Sequence, residues 1–336
     1  MSGSITTVAA LEACIGKAPA PIHLKVIDHL DEGALRWISA SPLMFAGFGE
    51  GSRIQVTLGG PAGLAGGEAR ELRLPTAMLD EPTLARPGMG FCSLFLLPGI
   101  GETLRVNGRV AAVREGQIRI TVEECYGHCA KSLIRSDFWA ASPGATAPQD
   151  AAAFVSASRF MALATIDTQG RADLSPKGDP AGTMSSLQEG RAWFAERPGN
   201  RRADSFHNIL TQPHVAAVLL IPGSTHVAHL SGTASLTTDE TARAQFIVQG
   251  KTPILVTGID NPVIELRESP ALVRANLWPV PARPEGIDPG KVFVAHVKLN
   301  SDKSLGARLA GAVLSVPGVT GLLQKGLEKD YKNNLY

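Results

Sequence analysis

Net charge, cysteine and long apolar runs are all scarce in this sequence, and each scarcity removes a class of function. Against 32 basic residues stand 31 acidic ones, a formal net charge of +1. No broad electrostatic footprint therefore favours nucleic acid or an anionic membrane, and the expected partners are small molecules or protein. No stretch is apolar for long enough to span a bilayer, and the opening residues from Met1 to Pro21 lack the basic flank and unbroken apolar run of a secretory leader. The four cysteines, Cys14, Cys92, Cys125 and Cys129, are too few in 336 residues for a disulfide framework, which agrees with a reducing compartment. The expected location is cytoplasmic.

What the chain does have is 44% hydrophobic residues, enough for two ordinary cores, with 35 glycines and 23 prolines spread along its length. Such spacing predicts many short strands joined by turns rather than a helical bundle. Self-comparison then shows similar segments in the same order. Leu94-Phe95-Leu96-Leu97-Pro98-Gly99 returns as Val218-Leu219-Leu220-Ile221-Pro222-Gly223, and each is followed by an alternating strand. Upstream, Gly60-Pro61-Ala62-Gly63 matches Asp179-Pro180-Ala181-Gly182; downstream, Phe138-Trp139 matches Leu277-Trp278. The offset between the copies only grows along the chain, as insertions in loops of a second copy would make it. The alternative is that apolar strands ending in Pro-Gly recur in any β-rich protein.

The small-residue stretch from Ala141 to Pro148 reads as a linker, giving a first unit over 1–147 and a second over 148–336. Val26, Ile27, Leu30, Leu35, Trp37 and Ile38 suggest amphipathic helices before the first copy, and Asp150 to Ser156 a shorter equivalent before the second. From Lys303 to Tyr336 a helical extension is expected, interrupted at Pro317-Gly318. In the second copy, 160–166, 171–175, 191–195, 215–221 and 227–236 read as strands, with one helix over 203–211. A single helix between strands argues for a small barrel and against a doubly wound parallel sheet.

Three segments can carry chemistry. Glu196-Arg197-Pro198-Gly199-Asn200-Arg201-Arg202-Ala203-Asp204-Ser205 sets a tight turn and two arginines before a helix. Free N–H groups at a helix start, with guanidinium forks beside them, suit a phosphate; the alternative is a solvated basic turn capped by Asp204 or Ser205. Asp173-Leu174-Ser175-Pro176-Lys177-Gly178 is a strand end whose hydroxyl and amine suit the other side of a phosphorylated ligand, or are ordinary loop residues. In Gly101-Glu102-Thr103-Leu104-Arg105-Val106-Asn107-Gly108-Arg109, alternation puts Leu104 and Val106 on one face and Arg105, Asn107 and Arg109 on the other. That polar face meets either a ligand in a cleft or water.

The run from Asp173 to Gly182, the segment Arg197 to Ser205 with Asn208-Ile209-Leu210, and Ile221-Pro222-Gly223 resemble the FMN-binding pyridoxamine 5′-phosphate oxidase-like family. The first copy is similar to the same family through other pieces: 25–31 with Ser41-Pro42, the stretch Pro98 to Gly108, and His128-Cys129-Ala130-Lys131 with Arg135-Ser136 and Trp139. The resemblance implies a mainly β, α+β chain of two tandem FMN-binding split β-barrels forming an internal pseudo-dimer, with helices at both ends. It further implies FMN between the copies, its phosphate on Lys177, Arg201, Arg202 and Ser205, with Ser175, Asn200, Glu102, Arg105, Asn107 and Trp139 as further contacts. In the first copy the phosphate loop is replaced by Pro75 to Pro82, which offers Asp80 and Glu81 where an anion grip needs cations. The copies have kept complementary halves, so one FMN site per chain is expected.

The activity implied is an FMN-dependent oxidoreductase acting on a small organic substrate, with a nicotinamide electron donor as a candidate partner. Arg105 and His128 are the first candidates for catalysis: Arg105 for negative charge on reduced flavin or substrate, His128 for proton transfer. Each has a bland alternative, a surface cation and a packed imidazole. Rival readings are a non-enzymatic flavin or haem carrier, and a structural or regulatory descendant of an enzyme. Cys125-Tyr126-Gly127-His128-Cys129 lacks a second cluster to complete a zinc site, and no metal is expected. The fused copies make a monomer sufficient, with a homodimer as the alternative.

Overall fold

Alternation decides where each strand puts its two faces, and among the described residues it serves three large apolar cores and a small fourth one. The computed structural model describes residues 3–17, 20–61, 65–199, 201–301, 326, 329–331 and 333–336. Asn200, Ala62-Gly63 and most of the expected C-terminal extension, Pro317-Gly318 included, lie outside the described residues.

The chain begins with β1 (Ser4–Ile5), α1 (Val8–Ile15) and α2 (Glu32–Ala40). The first sheet takes β2 (Leu43–Glu50), β3 (Arg53–Gly59), β4 (Gly66–Glu68), β5 (Glu71–Pro75), β6 (Gly90–Leu96), β7 (Thr103–Arg114) and β8 (Gln117–His128). After α3 (Lys131–Arg135) and α4 (Ala151–Ala157) come β9 (Phe160–Ile166), β10 (Ala172–Gly178), β11 (Ser185–Gln188) and β12 (Arg191–Glu196). The rest is α5 (Asp204–Thr211), β13 (His214–Leu220), β14 (His226–Thr237), α6 (Glu240–Ala244), β15 (Leu255–Glu268), α7 (Pro270–Ala275) and α8 (Pro289–Leu299).

The two sheets are antiparallel and share one topology. The first runs β3-β2-β6-β7-β8-β5-β4 and the second β10-β9-β13-β14-β15-β12-β11, with β1 added beside β14. The register carries the repeat down to single residues. Leu94 pairs with Phe45 and Arg105 in the first sheet, as Val218 pairs with Ala162 and His229 in the second. The fold class is mainly β with helices, as the sequence predicts.

Along β2 and β6, Phe45, Leu94 and Leu96 face the second sheet, while Met44, Ala46 and Phe95 face the first sheet's own core. Along β9 and β13, Phe160, Ala162 and Val218 face back, and Met161, Leu163 and Leu219 fill the second sheet's core. All seven residues of β9 are consequently buried, a hydrophobic run that alternation alone cannot orient. Gly90 marks how tightly the copies meet, because a Cβ there would lie 2.2 Å from the carbonyl oxygen of Gly170.

The ends of the chain cross over. β1 pairs with β14, and Ile5 and Leu11 join the second sheet's core, whereas Ile287 and Val292 beside and on α8 join the first. Val26 and Ile27 are not helical as expected. Ile27 forms a bridge to Cys125, and the helix starts only at Glu32, where Asp31 accepts a hydrogen bond from the Ala34 N–H at 2.7 Å. The longest strand, β15, escaped the sequence reading because Asp260-Asn261-Pro262 has turn chemistry. Those residues form a bulge, with Asn261 at φ 50° and a register shift opposite Gly232. No helix among the described residues is long and apolar enough to cross a membrane.

Phe160 packs against Phe45 at 5.6 Å and Phe138 at 5.2 Å between ring centroids. Phe160→Ala is therefore expected to cost about 3–5 kcal/mol. Both sheets should still unfold in one transition, read by tryptophan fluorescence and far-ultraviolet circular dichroism. Two separated transitions in the parent protein would contradict a shared core.

Candidate functional site

The polar face of β7 is buried at Arg105 and Asn107, while Arg109 at its far end is part-exposed. Leu104 and Val106 enter the first core, and Arg105 points the other way into the junction of the two copies, where it is 1% exposed. Its Nη1 donates to Asp173 Oδ1 of β10 at 2.5 Å and to the Tyr126 hydroxyl at 2.7 Å. Ser175 Oγ lies 3.5 Å from Nη2 and itself donates to Asp173 Oδ2 at 2.9 Å. Burial opposes the charge on Arg105, but Asp173, then Tyr126 and Asp204, outweigh it and hold the guanidinium above its usual range. The Tyr126 ring carries Arg105 at 5.3 Å and Arg202 at 4.2 Å. Burial pushes the Tyr126 phenol up despite both guanidinium groups.

Above this junction opens a cavity of about 470 Å³, within the usual range for a small-molecule site. From the first copy it is lined by Arg105, His128, Cys129, Lys131 and Arg135; from the second by Ser175, Lys177, Arg201, Arg202 and Ser205 with the first turn of α5. Cations outnumber carboxylates in the lining by seven to four. Six of the eight described helices have a side chain capping their N-terminus. The two without one, α3 and α5, are those whose first residues line the cavity. Ala203, before α5, and Arg201 both take left-handed backbone, φ 57° and 61°. That conformation is uncommon for non-glycine residues.

The cations are held by named partners. Arg202 pairs through Nε with Asp204 and through Nη2 with Glu124 of β8 at 3.1 Å, so it ties the copies together. Lys177 Nζ lies 2.5 Å from Glu196 and over the Phe206 ring at 4.9 Å. Arg197 is a framework residue: its Nε meets Asp179 at 2.7 Å, and Nη2 donates to the carbonyls of Thr183 and Phe246. Asp204 is raised by burial and then by Asp173, against the pull of Arg202 and Arg105.

His128 is held neutral. Burial, then the charges of Arg105 and Lys25, push its pKa well below the ordinary value, and its Nδ1 is buried without a hydrogen-bond partner. Arg105 Nε is likewise buried and unpartnered. Lys25 donates to the Gly127 carbonyl at 2.7 Å, and burial lowers its pKa to about 8.

Of the residues singled out in the sequence, Ser175, Lys177, Arg201, Arg202, Ser205, Arg105 and His128 come together in the lining. Glu102, Asn107 and Trp139 do not. Glu102 is raised by burial and accepts from the Tyr331 hydroxyl at 3.3 Å. Asn107 donates to Glu124 at 3.0 Å, and Trp139 Nε1 to the Ile100 carbonyl at 2.7 Å. The sequence reading assigned no role to Asp173, Tyr126, Lys131 or Arg135. Asp173 was detectable as a carboxylate inside an otherwise buried strand, since such a group needs a cationic partner.

The equivalent junction on the other side is filled by the chain itself. There His229 takes the register place of Arg105, and Arg267 that of His128. Arg267 forks onto Glu81, Nη1 donating to Oε1 at 2.8 Å and Nη2 lying 2.5 Å from Oε2, and its Nη2 is 2.8 Å from His229 Nε2. Burial and Arg267 lower His229 to about 4. Asp80 accepts from the Ser269 hydroxyl and the Ala271 N–H. The acidic loop is thus consumed by internal pairs.

A family model described as pyridoxamine 5′-phosphate oxidase matches residues 147–259. No curated protein matches the sequence. Among solved structures, HupZ from Group A Streptococcus is 17% identical, covering 33% of this chain and 84% of its own, with a TM-score of 0.26. General Stress Protein 26 from Bacillus anthracis is 18% identical over 33% of this chain and 89% of its own, TM-score 0.25. HutZ, the haem storage protein from Vibrio cholerae, is 13% identical over 33% and 86%, TM-score 0.24. The matched segment takes in α5 and the two arginines before it, so residues 147–259 of this chain are similar to the pyridoxamine 5′-phosphate oxidase family.

Proposed function

We propose that the cavity binds FMN and that the chain is an FMN-dependent oxidoreductase acting on a small organic substrate. The observation that carries this reading is a single cavity in which the uncapped first turn of α5, with its cations, faces Arg105 and His128 from the other copy. A phosphate suits the first place, where free N–H groups and guanidinium forks converge. Arg201, Arg202, Lys177 and Ser205 would hold it. The second place offers two buried nitrogens that await partners, Arg105 Nε and His128 Nδ1, and these suit the polar edge of a ring.

When bound, FMN supplies the redox chemistry. The chain's own residues supply position and charge. Arg105, fixed by Asp173 and Tyr126, presents a permanent positive charge without needing to reorganise. His128, neutral near pH 7, offers a hydrogen bond rather than an imidazolium, so its part in proton transfer is as a relay. Ser175 keeps Asp173 oriented toward Arg105. Because Glu81, Arg267 and His229 occupy the equivalent junction, one FMN per chain is the stoichiometry proposed, and one chain suffices to build the site.

The second reading is haem, since His128 and Cys129 both line the cavity and are side chains of the kind that ligate haem iron. The absorbance spectrum and cofactor mass of the protein as purified separate the two. Flavin bands, the mass of FMN and close to one flavin per chain are expected. A Soret band without flavin, or two flavins per chain, would contradict the reading.

The phosphate grip is tested by Arg201→Ala combined with Arg202→Ala. Flavin fluorescence titration should show FMN binding weakened roughly 10- to 100-fold, because charge-assisted hydrogen bonds contribute about 1.5–3 kcal/mol. A thermal melt confirms that the variant is folded. Unchanged affinity in folded protein would remove the phosphate from this turn.

A further inference from the structure

The cavity holds a second cationic pair, on α3, whose partners come largely from one short segment near the end of the chain. Lys131, 7% exposed, has its Nζ 2.9 Å from the Asp330 carboxylate and donates to the Asn334 carbonyl at 2.8 Å. Arg135, 8% exposed, donates through Nη1 to the Leu335 carbonyl at 3.0 Å, while its Nε is fixed by the Gly178 carbonyl at 2.8 Å and by Asp179 at 3.1 Å. Tyr336 lies over Arg197 at 5.6 Å, and Asp330, Asn334 and Tyr336 themselves line the cavity.

A buried ammonium group without an acceptor is costly. Both polar partners of Lys131 among the described residues belong to this segment. The segment contributes no described residue to any of the apolar cores; polar contacts hold it there. Contacts of that kind can be exchanged for those of a ligand bearing the same oxygens.

We propose that Lys131 and Arg135 form a subsite for the carboxylate of a small organic acid, and that Asp330 occupies it as an internal competitor. The inference deepens the reading above by naming the class of substrate that enters the cavity beside the cofactor. The acceptors that this segment brings to the pair are a single carboxylate, on Asp330, and two planar carbonyl oxygens, of Asn334 and Leu335, which favours a carboxylate over a phosphate.

Succinate binding to the full-length protein, measured by calorimetry with and without FMN, tests the proposal. Asp330→Asn, a change in a partly exposed side chain, should tighten succinate binding roughly 10-fold by removing the competitor. Lys131→Met should abolish that binding in both backgrounds, with a thermal melt to show that it folds. An unchanged or weaker succinate affinity in Asp330→Asn overturns the subsite, as does retained binding in Lys131→Met or a gain for inorganic phosphate in place of succinate. FMN uptake is read separately by fluorescence. Its failure alongside an intact succinate response would count against the cofactor reading and leave the subsite standing.

Discussion

A guanidinium group buried between two sheets must find a carboxylate, and Arg105 finds Asp173 only on the other copy. That requirement organises the junction. β7 supplies the cation, β10 the anion, and the Tyr126 hydroxyl takes a further donor from Arg105. The cost of desolvating both charges is met by close geometry and by the Tyr126 ring, which also carries Arg202. Since Arg202 precedes α5 and pairs with Glu124 of β8, the same cluster fixes the turn that lines one wall of the cavity. Site and interface are one arrangement.

The two junctions of the chain show how a repeated fold comes to hold one site. Their strand orders are identical, so topology does not distinguish them; side chains do. Where the first has Arg105 and His128 facing β10, the second has His229 and Arg267 closed onto Glu81. An acidic loop facing a cation makes a pair that needs no ligand, whereas a surplus of cations beside an uncapped helix leaves backbone donors for one. The α3 pair follows the same logic with a different occupant, a segment of the chain itself.

Much of the fold was legible because period two is written plainly in β7 and β14, and the apolar runs of β6 and β13 that precede them end in Pro-Gly turns that repeat in order. β15 was hidden by a bulge of turn-forming residues, and the exchange of β1 and α8 between sheets leaves no local trace, since each element needs only an apolar face to cover. The cationic side of the site was legible as a basic turn before a helix. Its other side was not, because the sequence shows that Arg105 and Asp173 sit on strand faces without showing that those faces meet. Glu102, Asn107 and Trp139 belong to the same motifs as the lining residues, yet packing commits them to Tyr331, Glu124 and Ile100. A motif marks a neighbourhood, and only the register assigns its members to a cavity.

The most direct test of this account is a double-mutant cycle on Arg105 and Asp173, using Arg105→Met, Asp173→Asn and the combined variant in chemical unfolding. Each single change is predicted to cost about 3–5 kcal/mol by leaving its partner buried and uncompensated, and the double variant should lose far less than the two costs together. Losses that add to within about 0.5 kcal/mol would show that the pair does not couple the copies and would contradict the account.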